Sequence, residues 1–243
     1  PGLGRHRQMT DASQNPRPPE HRSLMGVLSD AQRRDAAAIV AKYPNRRSAV
    51  LPLLFLVQSV EGYVTDEGMR EIADILGLTP AQVLASASFY TMFKKKPQGT
   101  YLISVCRNIT CSHLGAQKVI RALEERLGVD VGGMTPDGKF SLESAECLAT
   151  CDGAPSMQVN YEDFYKLSPE EAVELVDKLE RGEEVRSVRD QVVKTSKEIA
   201  HETATTGVRR LATEMESMRT IGGESPREDT KPGFRPPLHG DDD

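Results

Sequence analysis

"TYLISVCRNITCSHLGAQKVIRALEERLG", residues 100–128, changes its hydrophobic period partway along. Tyr101, Ile103 and Val105 alternate with polar or smaller neighbours, which is the two-residue period of a strand. Ala116, Ile120, Leu123 and Leu127 then fall on one face of a helix that Gly128 ends. Cys106 and Cys111 lie between the two patterns. The strand therefore ends on one thiol, and the second comes just before the helix.

Reading on from this stretch, strands are expected near Lys139–Leu142 and at Met157–Val159. Ser168, Pro169 and Glu171 open a last helix bearing Ala172, Leu175, Val176 and Leu179, which Gly182 closes. A strand, a helix, two strands and a helix over residues 100–182 predict a small α/β domain of thioredoxin-like type. Upstream, Ser29 with Gln32, and Thr79 with Gln82, form capping boxes, and Thr65 caps a further helix ending at Gly77. With "SAVLPLLFLVQSVEGY", where Pro52 is tolerable only near a first turn, residues 29–93 predict four short helices in a bundle. "KKKPQG" (94–99) is expected to be a solvated linker. Residues 1–28 are polar and proline-rich and predict a disordered N-terminal extension, and residues 183–243 predict an extended C-terminal tail. In that tail Val208, Leu211, Met215 and Met218 keep the spacing of a short amphipathic helix. The fold class is α+β: an N-terminal helical bundle, then a thioredoxin-like domain, with extended N- and C-terminal tails.

The chain has 243 residues, 38% of them hydrophobic, so it can build a core, and its 28% charged residues predict a soluble protein. A net charge of −5 leaves no electrostatic footprint for nucleic acid. No apolar run approaches the roughly 20 residues of a membrane span, and no signal peptide is read at the N-terminus. A cytoplasmic address is expected, with membrane contact only through partners. Nor is there a G-x-G-x-x-G or other phosphate-cradling loop, so NADH and flavin are not expected to bind this chain.

All four cysteines sit in the middle of the chain, as Cys106-x4-Cys111 and Cys147-x3-Cys151. Zinc knuckles commonly use C-x2-C, which neither pair has, and His113 is the one histidine nearby. A disulfide staple calls for an oxidising compartment, and a redox dithiol for C-x-x-C at a helix start. A [2Fe–2S] cluster asks for two thiolates at each of two irons, which two loops carrying a cysteine pair each supply. Gly115, Ala116, Gly153 and Ala154 are small, so backbone amides could approach the sulfurs closely. Spacing favours the cluster; a zinc-stabilised interaction module is the alternative of a different class.

"DGKFSLESAECLATCDGAP" (137–155) carries more than the cysteines. With Asp137, Phe140-Ser141, Cys147-Leu148, Cys151 and Ala154-Pro155 it resembles the signature of the thioredoxin-like [2Fe–2S] subunit of respiratory NADH dehydrogenase, complex I. "SHLGA" after the first cysteine pair and "SFYTMF" (88–93) are similar to the same family, and the resemblance covers about 29–182. Ala149 departs from it, standing where the family has glycine; if that position needs a positive φ, alanine would be strained there.

The resemblance implies that Cys106, Cys111, Cys147 and Cys151 hold a [2Fe–2S] cluster in an electron-transfer subunit without a complete active site of its own. It implies FMN and NADH in a partner subunit, a second partner in the large iron–sulfur subunit, and a place in the peripheral arm on the cytoplasmic face of the inner membrane. The equivalent diaphorase subunit of an NAD-linked hydrogenase or formate dehydrogenase shares these motifs and is the rival within the superfamily. "SFYTMF" has two expected uses, core packing and partner contact.

Overall fold

The computed structural model describes residues 26–206. The expected N-terminal extension, but for its last residues, and the amphipathic spacing after Val208 lie outside the described residues. Four helices come first: α1 (Asp30–Ala41), α2 (Val50–Glu61), α3 (Asp66–Leu76) and α4 (Pro80–Phe89), with one 3₁₀ turn, Arg46–Ala49, leading into α2. Their ends follow the local chemistry. Ser29 and Thr79 form reciprocal capping boxes with Gln32 and Gln82, and Thr65 accepts from the Gly68 amide. Gly62 and Gly77 close α2 and α3 in the left-handed conformation that suits glycine. Pro52 sits in the first turn of α2, where its missing N–H costs no helical hydrogen bond.

The second unit contains β1 (Tyr101–Cys106), α5 (Ile109–His113), α6 (Ala116–Leu127), β2 (Phe140–Ala145), β3 (Met157–Val159), β4 (Glu162–Phe164) and α7 (Pro169–Arg181). Its sheet has the order β2-β1-β3-β4. The first pair is parallel, in register from Tyr101↔Phe140 to Cys106↔Ala145, and the other two pairs are antiparallel. Ile103, Val105, Phe140, Leu142, Met157 and Val159 join Leu123 of α6 and Val176 and Leu179 of α7 in one buried core. Asn160 and Tyr161 turn β3 into β4 with φ of 49° and 69°, the double positive φ that a two-residue type I′ hairpin requires. The strand β4 and the short helix α5 escape sequence reading because neither is long enough to show a period.

Two differences from expectation concern how the units are joined. Residues 183–206 do not leave the body as an extended tail. Val185 and Val193 are buried in the second core, Ser196 N–H donates to Thr100 O at 2.9 Å, and α8 (Ser196–Thr206) then lies along α2. Ala204 enters the bundle core, and the Lys42 and Lys197 ammonium groups donate to the carbonyls of Thr205 and Val60. The cause is α2 itself: Leu53, Leu54, Leu56 and Val57 leave it apolar almost all round, and such a helix must be covered on every side.

Asn160, only 1% exposed, fastens residues 183–206, a strap that runs back across both units. Its amide donates to Thr100 O and Lys194 O at 2.9 and 2.8 Å, and its carbonyl accepts from Leu102 N–H at 2.8 Å. The 94–99 segment is likewise only partly a solvated linker. Lys95, Lys96 and Pro97 are exposed, but Lys94 N–H donates to Gln58 Oε1 at 2.9 Å and its ammonium lies 2.7 Å from Glu143 of β2. In "SFYTMF", Phe93 is buried against Phe55, with ring centroids 4.8 Å apart, while Phe89 is 78% exposed, so the segment contributes to the core and to the surface.

Candidate metal centre

The parallel pairing of β1 with β2 brings the starts of the two cysteine loops side by side. Cys106 and Ala145 are register partners at the carboxyl ends of the two strands, and Cys147 follows two residues later. Ligand sites of open α/β sheets sit at this end of the strands, where the loops diverge. Arg107 N–H continues the ladder to Ala145 O at 2.8 Å, and the Arg107 side chain pairs with Glu146, tying the two cysteine loops together at the surface.

Cys106 and Cys111 are buried, whereas Cys147 and Cys151 are exposed. Burial pushes the Cys106 thiol above its ordinary value, with the backbone at Asn108 and Leu148 pulling the other way and Cys111 against it; the thiol itself lies 3.8 Å from the Glu146 carbonyl, to which it donates. Cys111 precedes α6, the helix expected from sequence, and lies inside the additional short helix α5. Its sulfur lies 3.5 Å from the hydroxyl of Ser156, which accepts from Thr150 Oγ1 at 2.9 Å. Ser156 and Thr150 are absent from the sequence-based expectation; nothing in their spacing marks them, because they reach the sulfur through the fold. On the second loop, Ala149 N–H donates to Cys147 Sγ at 3.3 Å, and Cys151 opens a 3₁₀ turn, Cys151–Gly153.

Two of the small residues serve other purposes than close approach to sulfur. A Cβ at Gly115 would meet open space, and glycine is needed there because φ is +105° at the entry to α6. A Cβ at Gly153 would come within 2.3 Å of the Tyr165 ring. Gly153→Ala is therefore expected to destabilise the fold by about 1–3 kcal/mol through overpacking, read as a lower urea midpoint at unchanged slope. An unchanged midpoint would mean that the ring is free to move aside.

Asp137, Phe140 and Ser141, the first half of the resembling motif, are structural. Asp137 accepts from Lys139 N–H at 3.0 Å and from the Thr135 hydroxyl, which holds its carboxyl below the usual range. Phe140 is in the core, and Ser141 Oγ accepts from Gly99 N–H at 2.8 Å. Together they fix the start of β2, which carries Cys147 just beyond its far end.

No group of three or more His, Cys, Asp or Glu side chains among the described residues is gathered tightly enough for a single metal ion. A two-iron core makes a different demand, a pair of thiolates at each iron, and here the cysteines come as one pair from each loop. Amides directed at sulfur suit an anionic cluster, since they place partial positive charge against it. The donor set fits such a group.

Comparison with known proteins bears on the same segment. The family model of thioredoxin-like [2Fe-2S] ferredoxins matches residues 36–180. The chain belongs to this family. A [2Fe–2S] cluster is accordingly its cofactor, in agreement with the expectation from sequence. The E subunit of NADH-quinone oxidoreductase from Mycobacterium tuberculosis H37Rv is 50% identical over 145 residues, 60% of this chain and 58% of that protein. The match thus spans little more than half the length of that relative. The NADP-reducing hydrogenase subunit HndA of Solidesulfovibrio fructosivorans is 35% identical over 153 residues, 63% of this chain and 87% of the relative. Among solved structures, the air-oxidised NAD⁺-reducing [NiFe]-hydrogenase matches 55% of this chain and 23% of its own with a TM-score of 0.50. At 22% identity that likeness shows the fold alone. The thioredoxin-like ferredoxin fold therefore agrees with the architecture expected from residues 100–182.

Proposed function

We propose that the protein is an electron-transfer subunit of NADH:quinone oxidoreductase, with Cys106, Cys111, Cys147 and Cys151 as the ligands of its [2Fe–2S] cluster. The observation that carries the proposal is that the two cysteine loops leave the adjacent carboxyl ends of β1 and β2, in a chain that aligns with the mycobacterial oxidoreductase relative. A cluster of this kind exchanges one electron at a time, whereas a hydride delivers two to a flavin. A one-electron site beside a flavin therefore has a use.

Cys106 and Cys111 hold their side of the site inside the protein, away from water. Ala149 directs its N–H group at the Cys147 sulfur, and the Thr150–Ser156 hydroxyl chain supports Cys111. Burial and hydrogen bonds of this kind set the potential of an iron–sulfur site. The exposed pair, Cys147 and Cys151, marks the side facing a redox partner. That partner is a subunit holding FMN and NADH, with the large iron–sulfur subunit as the second neighbour. The complex places the chain peripherally, on the cytoplasmic face of the membrane. No single helix among the described residues is long and apolar enough to span a bilayer, so attachment runs through the other subunits.

Mild detergent purification with a tagged chain tests the assignment. Recovery of a flavoprotein, a large iron–sulfur protein and integral membrane subunits is the expected result. Recovery of a nickel–iron or molybdenum subunit would move the protein to the hydrogenase or formate dehydrogenase group, which the 35% identity to HndA keeps in view.

A further inference from the structure

Lys94 stands where the bundle hands the chain on to the sheet, and it is held at both ends. Its backbone belongs to the bundle: the N–H donates to Gln58 Oε1 of α2 at 2.9 Å, and the carbonyl accepts from Val64 N–H at 2.7 Å. Its side chain belongs to the thioredoxin-like domain, where the ammonium donates to Glu143 Oε2 of β2 at 2.7 Å. The other carboxylate oxygen, Oε1, accepts from Ser104 Oγ of β1 at 2.8 Å, so each oxygen has a donor. Ser104 and Glu143 are register partners, one on each of the strands that lead into the cysteine loops. The ion pair is partly withdrawn from water, its side chains 18% and 34% exposed. Lost hydration offsets attraction in such a place, so the pair is a weak source of stability. What distinguishes it is position. Ser104 is two residues before Cys106 on β1, roughly 7 Å along a strand, and a partly buried charge at that range is little screened by salt.

We infer that Lys94 is a positioning residue for the redox site: the bundle delivers its ammonium to Glu143 and so neutralises a carboxylate lying behind the two strands that feed the cysteine loops. This rests on the [2Fe–2S] assignment above. Reduction adds negative charge to an already anionic cluster, and the charge around a cluster acts on its potential through Coulomb interaction. An uncompensated Glu143 carboxylate disfavours the reduced form and lowers the potential, and the Lys94 ammonium cancels that effect. The helical bundle thus tunes a site to which it supplies no cysteine. Lys96, in the same lysine run, is exposed, and water and salt screen its charge.

The test uses the full chain, native and as Lys94→Met, Glu143→Gln, the double variant and Lys96→Met, isolated without oxygen. The midpoint potential of the cluster is read by redox titration followed by electron paramagnetic resonance. Lys94→Met is expected to shift the potential negative, because it leaves the carboxylate alone. Glu143→Gln is expected to shift it positive, because it leaves the ammonium alone. The double variant and Lys96→Met should stay close to native. Lost packing at the junction would move both single variants in one direction, so opposite signs separate a charge effect from a structural one. Shifts of the same sign, or none, would overturn the proposal, as would a shift in Lys96→Met as large as that in Lys94→Met. If Lys94→Met holds no cluster, Glu143→Gln decides: a positive shift supports the proposal, and a negative or absent one overturns it. Native protein without iron would instead overturn the cluster assignment, so the two failures are distinguishable.

Discussion

Serine in place of Cys106 is expected to reduce iron retention at least about tenfold, since even an outer-shell partner of a metal ligand is typically worth 10–100-fold. The residue ends β1, is 3% exposed, and its sulfur lies beside Cys111 of its own loop and the Glu146 carbonyl of the other. A hydroxyl is nearly isosteric, so the sheet should survive while the site loses its soft ligand. Cys147→Ser should lose iron as well, despite its exposure, because each iron needs both of its thiolates. Iron per chain by elemental analysis, with far-ultraviolet circular dichroism as the control for folding, reads the result. Unchanged iron in either variant would mean that the ligands are misassigned.

Ending the chain after Gly182 is expected to lower the melting temperature by about 10 °C or more, whereas ending it after Thr206 should leave the described body intact. The shorter form loses Val185, Val193 and Ile199, each buried at 8% exposure and each worth up to about 1.5–3 kcal/mol of apolar burial. It also uncovers α2, and leaves Asn160 without its Lys194 partner. Against a total stability of about 5–15 kcal/mol, such losses bring the bundle near its limit. A hydrophobic dye should bind the shorter form and not the longer one. Equal melting temperatures would show that the strap is incidental.

The cluster site and the strap differ in how far they can be read from the chain. The thioredoxin-like domain was legible because its signals are local: the alternation Tyr101-Ile103-Val105, the face Ala116-Ile120-Leu123-Leu127, and the Ser168 capping box each act within a few turns. The [2Fe–2S] cofactor was legible for a similar reason, since the cysteine spacing favoured a two-iron cage over a zinc knuckle.

The strap was not legible. Its helix carries a weak pattern, and what holds it in place is the apolarity of α2, far away in sequence. That α2 is apolar nearly all round was the available signal, because four helices alone could not cover it. Ser156 and Thr150 reach Cys111 only through tertiary contact, which no spacing encodes. Position 149 lies between these cases. The sequence posed the question of a positive φ, and the backbone answers it at +58°.

The central claim is that the two cysteine pairs jointly hold one [2Fe–2S] cluster, and metal stoichiometry with spectroscopy of the full chain tests it most directly. Protein purified without oxygen should contain about two irons and as much acid-labile sulfide per chain, and should show a paramagnetic signal of one unpaired electron after reduction. A colourless protein with one zinc per chain and no iron would contradict it.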